Sequence, residues 1–257
     1  MSNVEYVKDG RKGLIILNRP EKRNALNREL VTGLKVALKK HEEDEEVKVI
    51  ILKANGSAFC SGADLAYLQQ LESFTEAENH EDSTQLRELF ERIYLSKKIV
   101  IAQVQGHALA GGCGLASVCD FVYTIPEARF GYTEVRIGFI PAIVMVFLVR
   151  KIGESNARKL LVGGELVNAV EAHRLGLVTE VYPTATLDAE VNRLADYLIK
   201  SNSAEAMSTT KLMLAKVQSM SLSEGLDFAV KMNVNARATE DCKRGIAAFL
   251  KKEELNW

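Results

Sequence analysis

Apolar and polar positions alternate with period two over residues 4–8 and again over 13–17, with Gly10 between them, which predicts a β-hairpin. Pro20 and Asn24 then interrupt the strand pattern. Leu30, Val31, Leu34, Ala37 and Leu38 recur at helical spacing behind Asn27, a residue suited to cap a helix. A β-rich run over 47–53 ends at Asn55-Gly56, and a short helix over 65–71 follows Ser61-Gly62-Ala63-Asp64. Residues 72–85 are acidic and polar with few apolar anchors, and read as a surface loop. A helix over 86–95, a strand over 99–104, a glycine-rich turn over 106–114 and a helix over 115–118 come next, then strands over 121–124 and 129–131. Strands that alternate with helices predict an α/β layout with parallel strands.

Beyond Pro141 the spacing is helical over 143–151, 155–162 and 168–175, with a last strand over 177–181. Residues 187–250 read as helix throughout, with apolar stripes such as Leu222, Leu226, Phe228 and Val230. A helical tail behind a mixed body predicts a core over 1–195 and a helical region over 196–257 that packs on a neighbouring chain. The net charge of −1 offers no basic surface, so neither nucleic acid nor an anionic membrane is an expected partner. The longest apolar run, over 137–149, is broken by Gly138 and Pro141 and is too short to span a bilayer. The first residues carry no signal-peptide pattern, and Cys60, Cys113, Cys119 and Cys242 lack redox or metal spacing. Reduced thiols in a cytoplasmic protein are expected. No two histidines have ligand spacing, so no metal site is expected.

Chemistry concentrates in two glycine-rich turns, Phe59 to Asp64 and His107 to Gly114, each behind a strand and ahead of a helix. Amides at two helix N-termini can converge on one oxyanion. Downstream, Glu134 sits among glycines, aromatics and apolar residues, where burial tunes a carboxylate for proton transfer. The second turn lacks the Gly-Lys-Ser/Thr of a phosphate loop and the spacing of a dinucleotide fingerprint. His107 is a candidate pocket donor or base, although a satisfied, half-buried side chain is the commoner role; His41, His80 and His173 read as surface residues. Cys113 reads as a packing residue. A Ser61–His107–Asp64 hydrolytic triad is disfavoured, because Ser61 lacks the Gly-x-Ser-x-Gly elbow.

Asn18-Arg19-Pro20 with Asn24-Ala25-Leu26, Ala58 to Leu65, Gly106 to Gly112, Cys119-Asp120, Phe130-Gly131 through Glu134 to Gly138, Pro141, Gly163 to Val178 and Ala248-Phe249-Leu250 together resemble the crotonase (enoyl-CoA hydratase/isomerase) superfamily. The resemblance spans nearly the whole chain. It implies a spiral of strand–strand–helix units, a helical C-terminal trimerisation region, and a homotrimer or homohexamer. It implies an acyl-CoA substrate, with no cofactor beyond the coenzyme A that the substrate carries. Ala63 and Gly111 map to the two amides that hold the thioester oxygen, and Glu134 to a catalytic acid/base. Lys22, Arg23, Asp64, Leu65 and Gly112 map to the substrate-binding loops, with Lys252 of a neighbouring copy assisting.

One departure matters. Hydratases of this family use two glutamates, and the second position is Gly114 here. A lone glutamate resembles the family's Δ3,Δ2-enoyl-CoA isomerases, whereas the whole-chain pattern is similar to hydratases of the methylglutaconyl-CoA type. Hydration of an α,β-unsaturated, short or branched acyl-CoA is the first expectation, isomerisation by the same Glu134 the second, and a CoA-ester-binding protein without catalysis the third. Residues 143–148, where many relatives carry small glycines, read first as a core helix; the alternative is that Ile143 and Met145 narrow the acyl pocket.

Overall fold

The computed structural model describes residues 2–257. In chain order it contains β1 (Val4–Asp9), β2 (Lys12–Leu17), α1 (Arg28–Glu43), β3 (Val49–Ala54), β4 (Ala58–Cys60), α2 (Leu65–Leu71) and α3 (Glu76–Leu95). There follow β5 (Ile99–Val104), β6 (His107–Leu109), α4 (Gly111–Ser117), β7 (Phe121–Thr124), β8 (Arg129–Gly131), α5 (Ala142–Leu161), β9 (Val167–Asn168), α6 (Ala169–Arg174) and β10 (Glu180–Val181). Helices α7 (Leu187–Ser201), α8 (Ala204–Val217), α9 (Leu222–Ala238) and α10 (Glu240–Lys251) complete the chain.

Among the described residues the strands form two sheets. The larger has the order β1-β2-β3-β5-β7-β10, antiparallel only in the opening hairpin. Every residue of β5 is buried, as befits a parallel strand covered on both faces. The smaller sheet, β4-β6-β8-β9, is built from strands of two or three residues. The sequence pattern assigned β4 and β6 to glycine-rich turns, and the last strand is two residues rather than the five expected over 177–181.

The buried stripe of α1 is the predicted one, and Asn27 Oδ1 accepts the Leu30 amide at 3.0 Å. His41 extends that stripe instead of facing solvent: it is 4% exposed, with Nε2 3.2 Å from the Leu14 carbonyl oxygen. Residues 72–85 are not a loop. Helix α3 begins at Glu76 behind a capping box in which Thr75 and Glu78 satisfy each other's backbone amides. In α5, Gly153 at φ 75° breaks the helix where the sequence pattern also broke.

The boundary expected at 195/196 falls inside α7. Leu187, Val191, Ala195 and Leu198 of that helix are buried in the core. Lys211 fixes α8 to the core. It is 8% exposed, and its ammonium donates to Asp120 Oδ2 (2.7 Å), Ile93 O (3.0 Å) and Lys98 O (3.1 Å). Asp120 Oδ2 also accepts the Val100 amide at 2.8 Å, which ties the same carboxylate to β5. Lys211→Met is expected to lower unfolding free energy by about 3 kcal/mol, because a largely buried carboxylate loses its cation. Urea denaturation checks this. Helix α9 has no buried residue, and its Leu222, Leu226, Val230 and Val234 stand between 59% and 81% exposed.

Candidate active site

The loop after β2 is bolted to the first glycine-rich turn by fully used side chains. Asn24, wholly buried, donates from Nδ2 to Asn55 O and Ala58 O (2.9 Å each) and accepts the Arg19 amide at 2.8 Å. Arg19 donates to Ala25 O (3.2 Å) and pairs with Asp64 Oδ2 (2.5 Å). Asp64 Oδ1 caps α2 through the Ala66 and Tyr67 amides. Burial raises the Asp64 carboxyl's proton affinity, but Arg19 and those two amides outweigh it and hold the group below the usual carboxylate range. Both oxygens are therefore engaged in positioning the turn. The Leu26 amide donates to Gly62 O (2.7 Å) and the Asp64 amide to Leu26 O (2.9 Å), which leaves the Ala63 N–H between them facing outward.

The second turn meets the first directly. Gly62 adopts φ +89°, and a β-carbon there would stand 2.7 Å from the Ala110 β-carbon and 3.5 Å from the Gly111 nitrogen. At Gly112 a β-carbon would lie 2.2 Å from the Cys60 carbonyl oxygen, so only glycine lets α4 approach β4 this closely. Ala110 is held at φ 50°, ψ −125°, a conformation that costs about 1–3 kcal/mol outside glycine. That turn directs the Gly111 N–H at the start of α4. Among the described residues neither the Ala63 nor the Gly111 N–H donates a hydrogen bond within the chain. Two uncommitted amides on touching loops, one at a helix N-terminus, are the kind of donor that stabilises developing negative charge on oxygen.

The Ala110 amide donates to Gly131 O at 2.8 Å, which ties this turn to β8. Glu134 opens the short turn of 3-10 helix Glu134–Ile137 three residues later. Its Oε2 is buried and has no hydrogen-bond partner. Burial pushes its carboxyl above the usual carboxylate range, and the residue's own amide pulls it back only in part. Arg136 is exposed and does not pair with it. A half-buried carboxylate with a raised proton affinity and one oxygen unpartnered is the kind of group that exchanges protons.

The space beside Gly114 is filled. A β-carbon there would come within 2.2 Å of Val144 Cγ1 and 3.5 Å of Phe90 Cε2. Val144 lies between Ile143, half-buried against the core, and Met145, 45% exposed. It is thus Val144, which the sequence did not single out, that takes up the room a side chain at position 114 would need. Gly114→Glu is expected to lower stability by about 1–3 kcal/mol through overpacking, and adding Val144→Gly is expected to restore the thermal midpoint. Differential scanning calorimetry of the single and double variants measures both effects.

The other candidates fall as follows. His107 is exposed rather than half-buried, and its Nδ1 accepts the Arg129 amide at 3.2 Å. Cys113 is fully buried, and burial pushes its thiol up to about 12, which removes it as a nucleophile. Lys22 and Arg23 are exposed, and the Arg23 carbonyl accepts the Ser61 amide, so this cationic loop borders the Ala63 turn. Leu65 is 78% exposed at the start of α2. Lys252 caps the end of α10, far along the chain from these loops, at φ 58°.

The sequence profile of the enoyl-CoA hydratase/isomerase family matches residues 12–257. A Thermus thermophilus protein described as an enoyl-CoA hydratase is 42% identical over 96% of this chain and 97% of its own length. The crotonyl-CoA hydratase of Syntrophomonas wolfei is 31% identical over 99% and 97%. Among solved structures, an enoyl-CoA hydratase/isomerase (crotonase) from Legionella pneumophila superposes with a TM-score of 0.89 at 36% identity, covering 99% of this chain and 98% of that one. An enoyl-CoA hydratase from Shewanella pealeana gives 0.93 at 26% identity, covering 99% and 96%. With its strand–strand–helix architecture and paired glycine-rich turns, the chain belongs to the enoyl-CoA hydratase/isomerase family.

Proposed function

We propose that this enzyme hydrates an α,β-unsaturated, short or branched acyl-CoA. The observation that carries the reading is the contact of the two turns that bear the uncommitted Ala63 and Gly111 amides, tied through Ala110 and Gly131 to the segment of Glu134, whose Oε2 is buried without a partner. The thioester oxygen lies between the two N–H groups and takes up negative charge as water attacks the β-carbon. Preorganised donors stabilise that enolate at no reorganisation cost. Glu134 takes a proton from the attacking water and returns one to the α-carbon, so the carboxylate is regenerated each turn. Lys22 and Arg23 border the Ala63 turn and supply cations for the phosphates of coenzyme A. The exposed apolar rows of α9 and α10, with Phe249 at 82%, are covered by further copies of the chain in a trimer or hexamer, a copy number that sedimentation equilibrium measures.

A second reading is double-bond isomerisation, in which Glu134 moves a proton between C2 and C4. Val144 packed into the space beside Gly114 favours it, since no second carboxylate can stand there to hold water. Incubation with 2-enoyl, 3-enoyl and 3-methylglutaconyl thioesters in heavy-oxygen water separates the two. Label in the product of a 2-enoyl ester supports hydration. A shifted double bond without label refutes it in favour of isomerisation, and tight CoA-ester binding with no turnover refutes both.

A further inference from the structure

A cleft of about 1290 Å³ lies between the core and the C-terminal helices α8, α9 and α10. Ala63, Gly111 and Glu134 do not line it, so it is separate from the candidate active site. It exceeds the roughly 300–1,000 Å³ of an ordinary small-molecule site and, like such sites, is walled mainly by apolar groups. Tyr94 and Phe147 stand on the core side, edge to face with ring centroids 5.2 Å apart. Met207 and Met213 of α8 and Met232 of α9 stand opposite. Unbranched thioether side chains repack readily around a flexible apolar ligand. At 100° per residue, Met232 lies on a different side of α9 from the exposed row Leu222, Leu226, Val230 and Val234, which stays available to a neighbouring copy.

The charges on the lining are unbalanced. Lys151 of α5 donates to Cys119 O at 2.8 Å, its only hydrogen-bond acceptor among the described residues. An ammonium has three donors, so two have no protein acceptor. Asp120, the carboxylate that acts on Lys151, is already committed to the Lys211 ammonium and the Val100 amide. Of the other lining carboxylates, Asp241 accepts the Ser203 hydroxyl at 2.5 Å, and Glu205 sits exposed in the first turn of α8. Arg150 also lines the cleft, and its guanidinium donates only to Val146 O of its own helix. Burial loosens the hold of Lys151 on its proton, with Cys119 and Asp120 opposing. A cation left without its own carboxylate in apolar surroundings is stabilised by a ligand that brings one. An inorganic anion would leave the apolar walls unused, whereas a long-chain carboxylate matches both the cation and the walls.

We propose that this cleft binds a long-chain fatty acid, its carboxylate on Lys151 and its hydrocarbon chain between Phe147, Tyr94 and the methionines of α8 and α9. The site is independent of the reaction assigned to Glu134.

Isothermal titration calorimetry of the full chain with dodecanoate tests this. Wild type is expected to bind a single dodecanoate per chain. Lys151→Met keeps the aliphatic bulk and removes the charge. It is expected to weaken dodecanoate at least about tenfold, while 1-dodecanol, which carries no charge, stays within about twofold of its wild-type affinity. Leu214 lines the cleft and is 62% exposed, so a polar replacement is compatible with the fold. Leu214→Glu is expected to weaken dodecanoate at least about tenfold by setting a like charge in the cleft, with the thermal midpoint unchanged. Saturating butyryl-CoA is expected to change dodecanoate affinity by less than about twofold, because the uncommitted amides lie elsewhere. No binding to wild type overturns the proposal, and so does a cleft filled by a second copy. Undiminished affinity in Lys151→Met removes the lysine as the carboxylate's partner. Displacement by butyryl-CoA places the fatty acid at the active site instead, and undiminished affinity in Leu214→Glu places it outside the cleft. If Lys151→Met does not fold, the Leu214→Glu and butyryl-CoA results decide the matter.

Discussion

Glu134→Gln is expected to cut turnover of enoyl thioesters by about 10³-fold while changing CoA-ester affinity by less than about threefold. Glutamine keeps the shape and removes the exchangeable proton, so the loss appears in kcat and not in binding. The same variant carries a stability signature of known sign. Burial raises the folded carboxyl above the unfolded value of 4.5, so the native state binds more protons than the unfolded one between those two points. Wild-type stability therefore falls as pH rises through that window. The neutral glutamine does not share this cost. Glu134→Gln is expected to melt above wild type at pH 8, with the gap closing as pH falls and absent below about 4.5. Thermal melts across pH and steady-state kinetics on the same preparations measure both halves. Activity near wild type removes Glu134 as the acid/base.

Gly112→Ala is the second large effect. The new β-carbon would meet the Cys60 carbonyl oxygen at 2.2 Å and its carbonyl carbon at 2.7 Å. Both are buried backbone atoms of β4, so no flexible side chain can yield. The strand and the helix must separate, and with them the turns that carry Ala63 and Gly111. Loss of alignment of one oxyanion donor costs about 10²–10³ in kcat. A drop of that size in kcat/KM, with a lowered thermal midpoint and a far-UV spectrum that still reports the native fold, is the expected result. Full activity in a folded variant means the approach of α4 to β4 does not position the amides.

Part of this was legible in the sequence. The stripe of α1 is regular enough to name its buried face residue by residue, and His41 follows at the next helical step after Leu38, a signal overridden by the residue's polarity. Residues 72–85 misled because their apolar anchors are sparse, yet Thr75 and Glu78 stand at capping-box spacing and mark the true start of α3. Of the smaller sheet only β8 was read as a strand; β4 and β6, three residues each, were hidden because they are too short for an alternation to register. Glu134 and the two turns were recognisable because glycine and a lone carboxylate stand out locally. That Val144 fills the space beside Gly114 was not, since this depends on the register of α5 against α4. That register is set by tertiary packing and leaves no local trace.

The convergence of the Ala63 and Gly111 amides on a thioester oxygen is tested most directly by a crystal structure with a saturated acyl-CoA such as butyryl-CoA bound. The expected result is a thioester oxygen about 3 Å from both amide nitrogens, with the Glu134 carboxylate facing the α-carbon. An oxygen hydrogen-bonded to neither amide, or a Glu134 carboxylate turned away from the acyl chain, contradicts it.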